Sequence, residues 1–515
     1  MPQARGAIVG ARPAWLAAAA LAGVLYFLGY LGWGAWPCLL VFLAPLWGAL
    51  DDAAAARSRV SLLLGLTFGL VAYAGGFTWL WYLVATFLDG NRAFGVVLWI
   101  LFGLWFATGY ALYALVFRRI RRRGWPLVVA GVPPLLVLEW LQPQLFPLYA
   151  GAGLVAAPPL VQAADLGGPL LLTALLAAPS LALLATWRWW RGTGPRPVST
   201  WLATGAVAVA VLAYGSWRIA GVEALVRDAP ALRVGIVQAN LGVMEKEAQA
   251  VVTHRRHLEQ TRELLADGPL DLVVWPETAY VRGLRRPLPI AGQLVREDLR
   301  VPLLFGANSV YEEEGRRRSA NAAFLVGADG MIRDGYDKNL LIPLAEYVPL
   351  AGVLPSLEGW FPHVAEFRAS TEMPALALGP WRLSVPICYE VIRPEFVRRM
   401  VHAASPHLLV TLANDAWFGD SHEPWLHLGL ARLRAVEQRR YLVRATNSGV
   451  SAVVDPAGRL VVRSGLFTRE SLRATVRPLE GRTPYARLGD WPGWLALALT
   501  LLGLLRDAPP ARRGA

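Results

Sequence analysis

A mean hydropathy of +0.40 over 515 residues, with only 17% of them charged, excludes an ordinary soluble globule and leaves room for two or three domains. The net charge of +13 looks like a polyanion-binding signal, but many of the arginines fall in short loops between apolar runs, which argues against nucleic acid as a partner. The two cysteines, Cys38 and Cys388, lie 350 positions apart (388 − 38) with the first inside an apolar stretch, so a disulfide framework is not expected.

In chain order, apolar runs long enough for a bilayer core of about 30 Å predict spans at 14–31, 33–50, 60–83, 93–117, 125–149, 167–187, 200–217 and 491–505. The first two form a tight hairpin, and a second apolar run following so closely argues against a cleaved signal peptide. Charge asymmetry orients the set. With Arg5 and Arg12 in the cytoplasm, Arg57 and Arg59 join them, as do Arg118, Arg119, Arg121, Arg122 and Arg123. Arg188, Arg191 and Arg196 fall on the same side, and so do Arg506, Arg512 and Arg513. The alternate loops, near 84–92 and 150–166, carry Arg92 alone. Eight spans with both termini inside satisfy every loop. They divide the chain into a bundle over 1–218, a polar domain over 219–490 outside the cytoplasm, and a last span and tail over 491–515.

Residues 231–478 alternate between strand and helix signals. LRVGIVQANL reads as a strand, and KEAQAVVTHRRHLEQTRELLAD as a helix ending near Gly268. LDLVVWPET and VPLLFGANS are strands, and NAAFLVGADGMIRDGYDK is a hairpin turning at Asp329-Gly330. A second hairpin about Gly379-Pro380 leads to Cys388. RPEFVRRMVHAA is then a helix, HLLVTLAND a strand, 426–439 a helix, and YLVRATNSGVSAVVDPAGRLVVR supplies the final strands. EEEGRRR, 312–318, reads as a solvated turn. The pattern predicts an α/β/β/α sandwich, helices covering two packed sheets.

Three titratable residues follow strand-like runs, where α/β sheets gather function: Glu277 after LVVWP, Lys338 after IRDGYD, and Cys388 after LSVPI. Each alone has a plain reading, as a solvated acid, a surface cation beside Asp337, or a small core side chain. Together they supply what thiol chemistry requires. A thiol needs a base or a nearby cation to act as a nucleophile. Glu277 could take and return its proton. Lys338 could favour the thiolate and, with the Tyr389 backbone N–H, hold a tetrahedral oxyanion. No histidine stands in a comparable strand-end motif, and His422 and His427 are expected to serve packing or solvent contacts.

The order Glu, Lys, Cys in the contexts WPE, YDKNLLIPLAEYVP and ICYE resembles the nitrilase, or carbon–nitrogen hydrolase, superfamily. With the membrane frame and the stretch NDAWFGDSHEPWLHLGLARLRAVEQRRYLVRATNSGVSAVVD, the whole chain is similar to the bacterial apolipoprotein N-acyltransferases. That resemblance implies a nitrilase-like domain outside the inner membrane of a bacterium, with Glu277 as acid–base, Lys338 at the oxyanion and Cys388 as the acylated nucleophile. It implies supporting carboxylates at Glu346 and Glu390, with Tyr389, Trp417 and Asn321 around the substrate. The reaction implied is N-acylation of a diacylglyceryl-cysteine lipoprotein, the last step of lipoprotein maturation, with a phospholipid as acyl donor and a thioester intermediate. Two positions depart from the pattern. LGVMEKEAQ follows VQAN where relatives place a tryptophan, and Ala345 stands where they often carry glycine.

The stretch LAGVLPSLEGWFPH, 350–363, is long enough to be a lid. Its Leu354, Trp360 and Phe361 would touch lipid or, equally, pack on the domain. No phosphate-cradling glycine motif and no metal-ligand spacing is present, so no cofactor and no metal is expected. Two rival readings are a membrane-tethered amidase passing its acyl group to water, and a transporter or scaffold without catalysis. The second needs charged residues inside spans, for which Glu139 is the clearest candidate.

Overall fold

The computed structural model describes residues 12–30, 33–81, 83, 92–242, 249–288, 292–313, 315–351, 353, 354, 356, 359, 364 and 366–509. Two compact units emerge, one of residues 1–217 with 488–515 and the other of residues 218–487. Each is described by itself.

The first unit is helical. Four helices among the described residues are long and apolar enough to cross a membrane: Ser58–Gly76, Arg92–Arg122, Ala164–Trp190 and Val198–Asp228. Pro13–Gly29, Leu127–Leu141 and Trp491–Leu505 are apolar and shorter. The run at 33–50 is not one helix. It is a 3-10 turn, Trp36–Leu40, followed by a ten-residue helix, Leu43–Asp52, about 15 Å long and half of a bilayer core. The turn seats Leu39, fully buried, against Gly29 and Gly153, where a Cβ would approach within 2.8 Å and 2.2 Å of its side chain. Close packing at that point wins over regular helix. Residues 150–166 are likewise no open loop, since the 3-10 turn Ala150–Ala156 is mostly buried. Glu139 fastens it. Its carboxylate accepts the Ala150 N–H at 2.9 Å and the Thr173 hydroxyl at 2.7 Å, so this charged candidate for a transport path is a structural clasp. Ion pairs join Asp51 to Arg121 at 2.6 Å and to Arg188 at 2.9 Å, and Arg123 to Asp507 at 3.1 Å.

The second unit has two sheets. One runs β13-β1-β2-β4-β5-β6 with β3 on β4; the other runs β12-β11-β10-β9-β8-β7. In the first sheet, β1 is Leu232–Gln238, β2 Leu272–Val274, β3 Tyr280–Arg285, β4 Leu303–Glu313, β5 Arg316–Val326, β6 Ile332–Asp337 and β13 Glu470–Val476. In the second, β7 is Leu376–Leu378, β8 Trp381–Ser384, β9 Leu408–Ala413, β10 Leu442–Thr446, β11 Ala452–Val454 and β12 Leu460–Arg463. β1, β2 and β4 run parallel, as do β8, β9 and β10. Both β9 and β10 are buried on both faces; β9 is an almost unbroken apolar run, whereas β10 buries Arg444 within it.

Val234, Ile236, Leu304 and Leu325 of one sheet share a core with Leu383, Val410, Leu412 and Val443 of the other. Outside the first sheet, the Ala250–Ala266 helix sends Leu258 and Leu264 into a second core with Trp275 and Phe305. The Pro394–Ala404 and Glu423–Gln438 helices pack on β8 and β10. The layers are helix, sheet, sheet, helix. Two strands, β3 and β13, are not among the predicted elements. YVRGLR and ESLRATV are half-exposed and charged, so their strand character comes from pairing with β4 and β1 rather than from apolar periodicity. The β4–β5 ladder runs into the EEEGRRR stretch, where Glu312 pairs with Arg317.

Candidate active site

Three strands and their following turns build the site at one end of the sheets. After β2 the chain turns at Pro276 to present Glu277, buried to 7% exposure. Gly306 of β4 lies under that turn, where a Cβ would stand 2.5 Å from the Thr278 nitrogen and 2.7 Å from the Glu277 Cα. Only glycine permits this approach. β6 ends at Asp337 and delivers Lys338, which is 1% exposed; the surface reading of this lysine does not hold. Its Nζ is 2.8 Å from Glu346 Oε1 and 3.7 Å from Glu277 Oε1. Asn321, on β5, donates through Nδ2 to Glu277 at 2.6 Å and to Glu346 at 3.1 Å. Glu346 completes the cluster by accepting the Ile342 N–H at 2.9 Å. Burial by itself would lower the Lys338 pKa, yet the two carboxylates outweigh it and the ammonium is held well above its ordinary value.

Cys388 follows β8 on a sharp turn with φ 49° and ψ −113°, a region that non-glycine residues rarely occupy. The surroundings impose it. Cys388 N–H donates to the Leu412 carbonyl at 2.8 Å, and Ile387 N–H to Glu390 Oε2 at 2.8 Å. Glu390, fully buried, also accepts the N–H groups of Asn339 at 2.6 Å and Leu340 at 3.0 Å, and the Tyr336 hydroxyl at 2.8 Å. One carboxylate therefore clamps the segment after Lys338 to the segment before Cys388. Burial pushes Glu390 up to about 7, while its partners, donors without exception, pull toward the ionised form. Glu390→Gln would turn an amide NH₂ toward those donors. We expect a loss of about 1–3 kcal/mol, read as a lower unfolding midpoint of the full-length protein in detergent, together with reduced Cys388 reactivity.

The thiol is 8% exposed, and its pKa is raised, first by burial and next by the charge of Glu277; Lys338 opposes both without reversing them. The proton therefore rests on sulfur, because the pull of Lys338 toward the thiolate is outweighed. The arrangement suits a base that removes the proton as the sulfur attacks.

Sequence reasoning left one part of the site without a role. His427, in the Glu423–Gln438 helix, is buried, with Nδ1 at 3.0 Å from Asp415 Oδ1 and Nε2 at 3.2 Å from the Cys388 carbonyl oxygen. Arg444 of β10 holds the other Asp415 oxygen at 2.6 Å. The histidine thus addresses the backbone of Cys388 and is not a plain packing residue. Asp415 follows β9 as Cys388 follows β8, and that shared strand-end position was the available signal. Asp415, Glu423 and His427 bring ligand atoms within 4.8 Å of one another, but the Arg444 guanidinium already compensates Asp415, and we assign no metal there.

Of the remaining predicted positions, Tyr389 is buried next to Cys388, its hydroxyl 3.4 Å from Arg393 Nη1. Trp417 sits half-buried on the 3-10 turn Asp415–Phe418, beyond β9. Trp360 and Phe361 lie outside the described residues, as do 243–248 of the LGVMEKEAQ stretch. Leu350, Val353 and Leu354 of the same segment as Trp360 are exposed.

A family model described as carbon-nitrogen hydrolase matches residues 233–485, and one described as apolipoprotein N-acyltransferase N-terminal domain matches residues 22–182. Apolipoprotein N-acyltransferase of Geobacter metallireducens is 32% identical over 496 residues, covering 93% of this chain and 92% of its own. The chain belongs to the apolipoprotein N-acyltransferase family. The Azotobacter vinelandii protein of that name is 33% identical over 96% of this chain and 95% of its own, and the Pseudomonas aeruginosa PAO1 one 30% identical over 98% of each. Membership covers both units, so the nitrilase-like cluster belongs to a chain built as an acyltransferase and not to an isolated hydrolase.

Proposed function

We propose that the protein takes an acyl chain from a phospholipid onto Cys388 and passes it to the α-amino group of a diacylglyceryl-cysteine lipoprotein. The observation that carries this reading is the buried Glu277–Asn321–Lys338–Glu346 cluster acting on a neutral thiol held on a strained turn. As sulfur attacks the acyl carbonyl, Glu277 accepts the thiol proton, and the Lys338 ammonium offsets the oxyanion. Collapse breaks the ester C–O bond. Glu277 returns the proton to the departing glycerol oxygen, leaving a thioester and a lysophospholipid. The incoming amine attacks the thioester, gives its proton to Glu277 and restores the thiol as the amide forms. Two half-reactions at one sulfur make the kinetics ping-pong.

Glu346 and Asn321 position the lysine and the base, Glu390 positions the elbow, and Tyr389 and Trp417 border the acyl path. The exposed Leu350, Val353 and Leu354 support a lipid-touching lid in which Trp360 and Phe361 take part. Eight passages across the bacterial inner membrane, the second of them broken, would put both termini in the cytoplasm and residues 219–490 outside. Pairing of Asp51 with Arg121 and Arg188, and of Arg123 with Asp507, supports setting those four chain segments on one side.

Incubation of the purified protein with phospholipid alone is expected to add one fatty acyl group to Cys388, seen by intact mass and removed by hydroxylamine. A wild-type protein that stays unmodified, or an adduct of the same mass on Cys388→Ala, would overturn the mechanism. Adding a diacylglyceryl peptide to the acylated protein should move the acyl group to the peptide amine. Release solely as free fatty acid would mark an amidase.

A further inference from the structure

At the end of the six-stranded sheet opposite Cys388, Arg382, Arg440, Arg482 and Arg487 line a cavity of about 240 Å³ with Val401, Ser405, Glu480 and Gly481. Arg382 lies in the first half of β8, Ser405 and His407 just before β9, and Arg440 just before β10. Because these strands run parallel, this is their amino end, and no residue of the catalytic cluster reaches it. We propose that this cavity binds a phosphate group, supplied by the headgroup of an anionic phospholipid.

The charge balance is the first argument. Four guanidinium groups meet one carboxylate, Glu480, which is itself engaged by His407 Nε2 at 2.7 Å. Arg382, Arg440 and Arg482 are fixed by neutral oxygens, and the positive charge at the cavity exceeds what Glu480 offsets. Arg440, buried, donates to the carbonyls of Pro406 at 2.8 Å, Arg439 at 3.0 Å and Gly481 at 2.7 Å. Arg382 Nε donates to the Ser405 carbonyl at 3.0 Å, and Arg482 to the Ser405 hydroxyl at 3.1 Å. Burial first, and the charge of Arg382 as well, lower the Arg440 pKa to about 10 despite Glu480. Arg440 spends Nε, Nη1 and Nη2 on carbonyls and so contributes charge, while the exposed Arg382, Arg482 and Arg487 offer guanidinium N–H groups to the oxygens of a phosphate and the negative charge it brings.

Position is the second argument, and it rests on the membrane reading above though not on acyl transfer. Arg487 precedes Trp491 by four residues, an extended reach of about 14 Å, and Trp491 opens the apolar Trp491–Leu505 helix. Tryptophans at a helix start mark the headgroup level of a bilayer, and along the chain Arg487 stands only four residues from it, in the range where basic side chains attract anionic lipid.

The test uses the full-length protein in detergent micelles doped with phosphatidylglycerol or phosphatidylcholine, read by native mass spectrometry. Wild type is expected to retain one more phosphatidylglycerol than an Arg382→Gln/Arg482→Gln variant, with at least a tenfold difference in occupancy, and to show no such gain with phosphatidylcholine. Arg487→Gln, whose side chain is exposed, should lower occupancy without touching the Ser405 contacts. The thermal unfolding midpoint of each variant serves as the fold control. Inorganic phosphate is titrated in parallel. If it binds wild type but not the variants while no lipid is retained, the phosphate chemistry stands and the lipid source falls. Equal lipid and phosphate binding by wild type and variants overturns the site.

Discussion

Acylation of Cys388 in a Glu277→Gln variant is expected to fall by about 10²- to 10⁴-fold at neutral pH, the range positioned general-base catalysis contributes. The pH dependence should change with it. Burial, and then the charge of Glu277, hold the thiol proton well above its ordinary pKa. The wild type therefore depends on Glu277 to take that proton during attack. In the variant only preformed thiolate reacts, so its rate should climb about tenfold per pH unit below the thiol pKa. That pKa should itself drop, since a neutral amide no longer raises it. Rapid-quench mass spectrometry of the acyl adduct from about pH 6 to about pH 9 reads both effects. A variant acylating at the wild-type rate with the wild-type profile would remove Glu277 as the base.

Lys338→Met should be costlier, because it disturbs both chemistry and fold. It leaves Glu277 and Glu346 buried against each other without the ammonium that sits 3.7 Å and 2.8 Å from them. Breaking a buried pair by removing one partner costs about 3–5 kcal/mol, and loss of an oxyanion donor costs a further factor of about 10² to 10³ in rate. The sign with pH follows from the directions. In the wild type the raised Lys338 pKa keeps the ammonium charged, and its contribution is lost only as pH rises past that raised value. In the variant the two acids lose their counter-charge, so the folded state binds protons more readily than the unfolded chain. The variant's stability deficit should therefore shrink as pH falls from neutrality toward the unfolded carboxylate value of about 4.3. Thermal unfolding of both proteins across that range measures it. A deficit that is constant or grows on acidification would mean that Lys338 does not compensate these acids.

Much of the site could be read before any coordinates. Glu277, Lys338 and Cys388 each follow a strand-like run and precede a turn, and β2, β6 and β8 carry them to one place. Glu346 and Glu390 were legible through motif resemblance, with no periodicity pointing to them. The link from Asp415 through His427 to the Cys388 carbonyl was not legible, because a histidine within a helix gives no hint of which backbone oxygen it will meet. The protonation state of Cys388 was not legible for a related reason. Sequence names the neighbouring charges, but whether burial outweighs the ammonium depends on how much water the packed site admits.

Taken alone, the sequence determined the helical frame with its arginine asymmetry, the helix-and-strand alternation of the polar half and the order of its reactive residues. These are consequences of local composition and periodicity. Only tertiary structure decided that the second apolar run breaks to seat Leu39, that β3 and β13 are strands, that Glu390 clamps two distant turns, and that four arginines gather at the far end of the second sheet. Those outcomes depend on close packing and on buried polar groups finding partners far along the chain, and neither is recorded in any short window of residues.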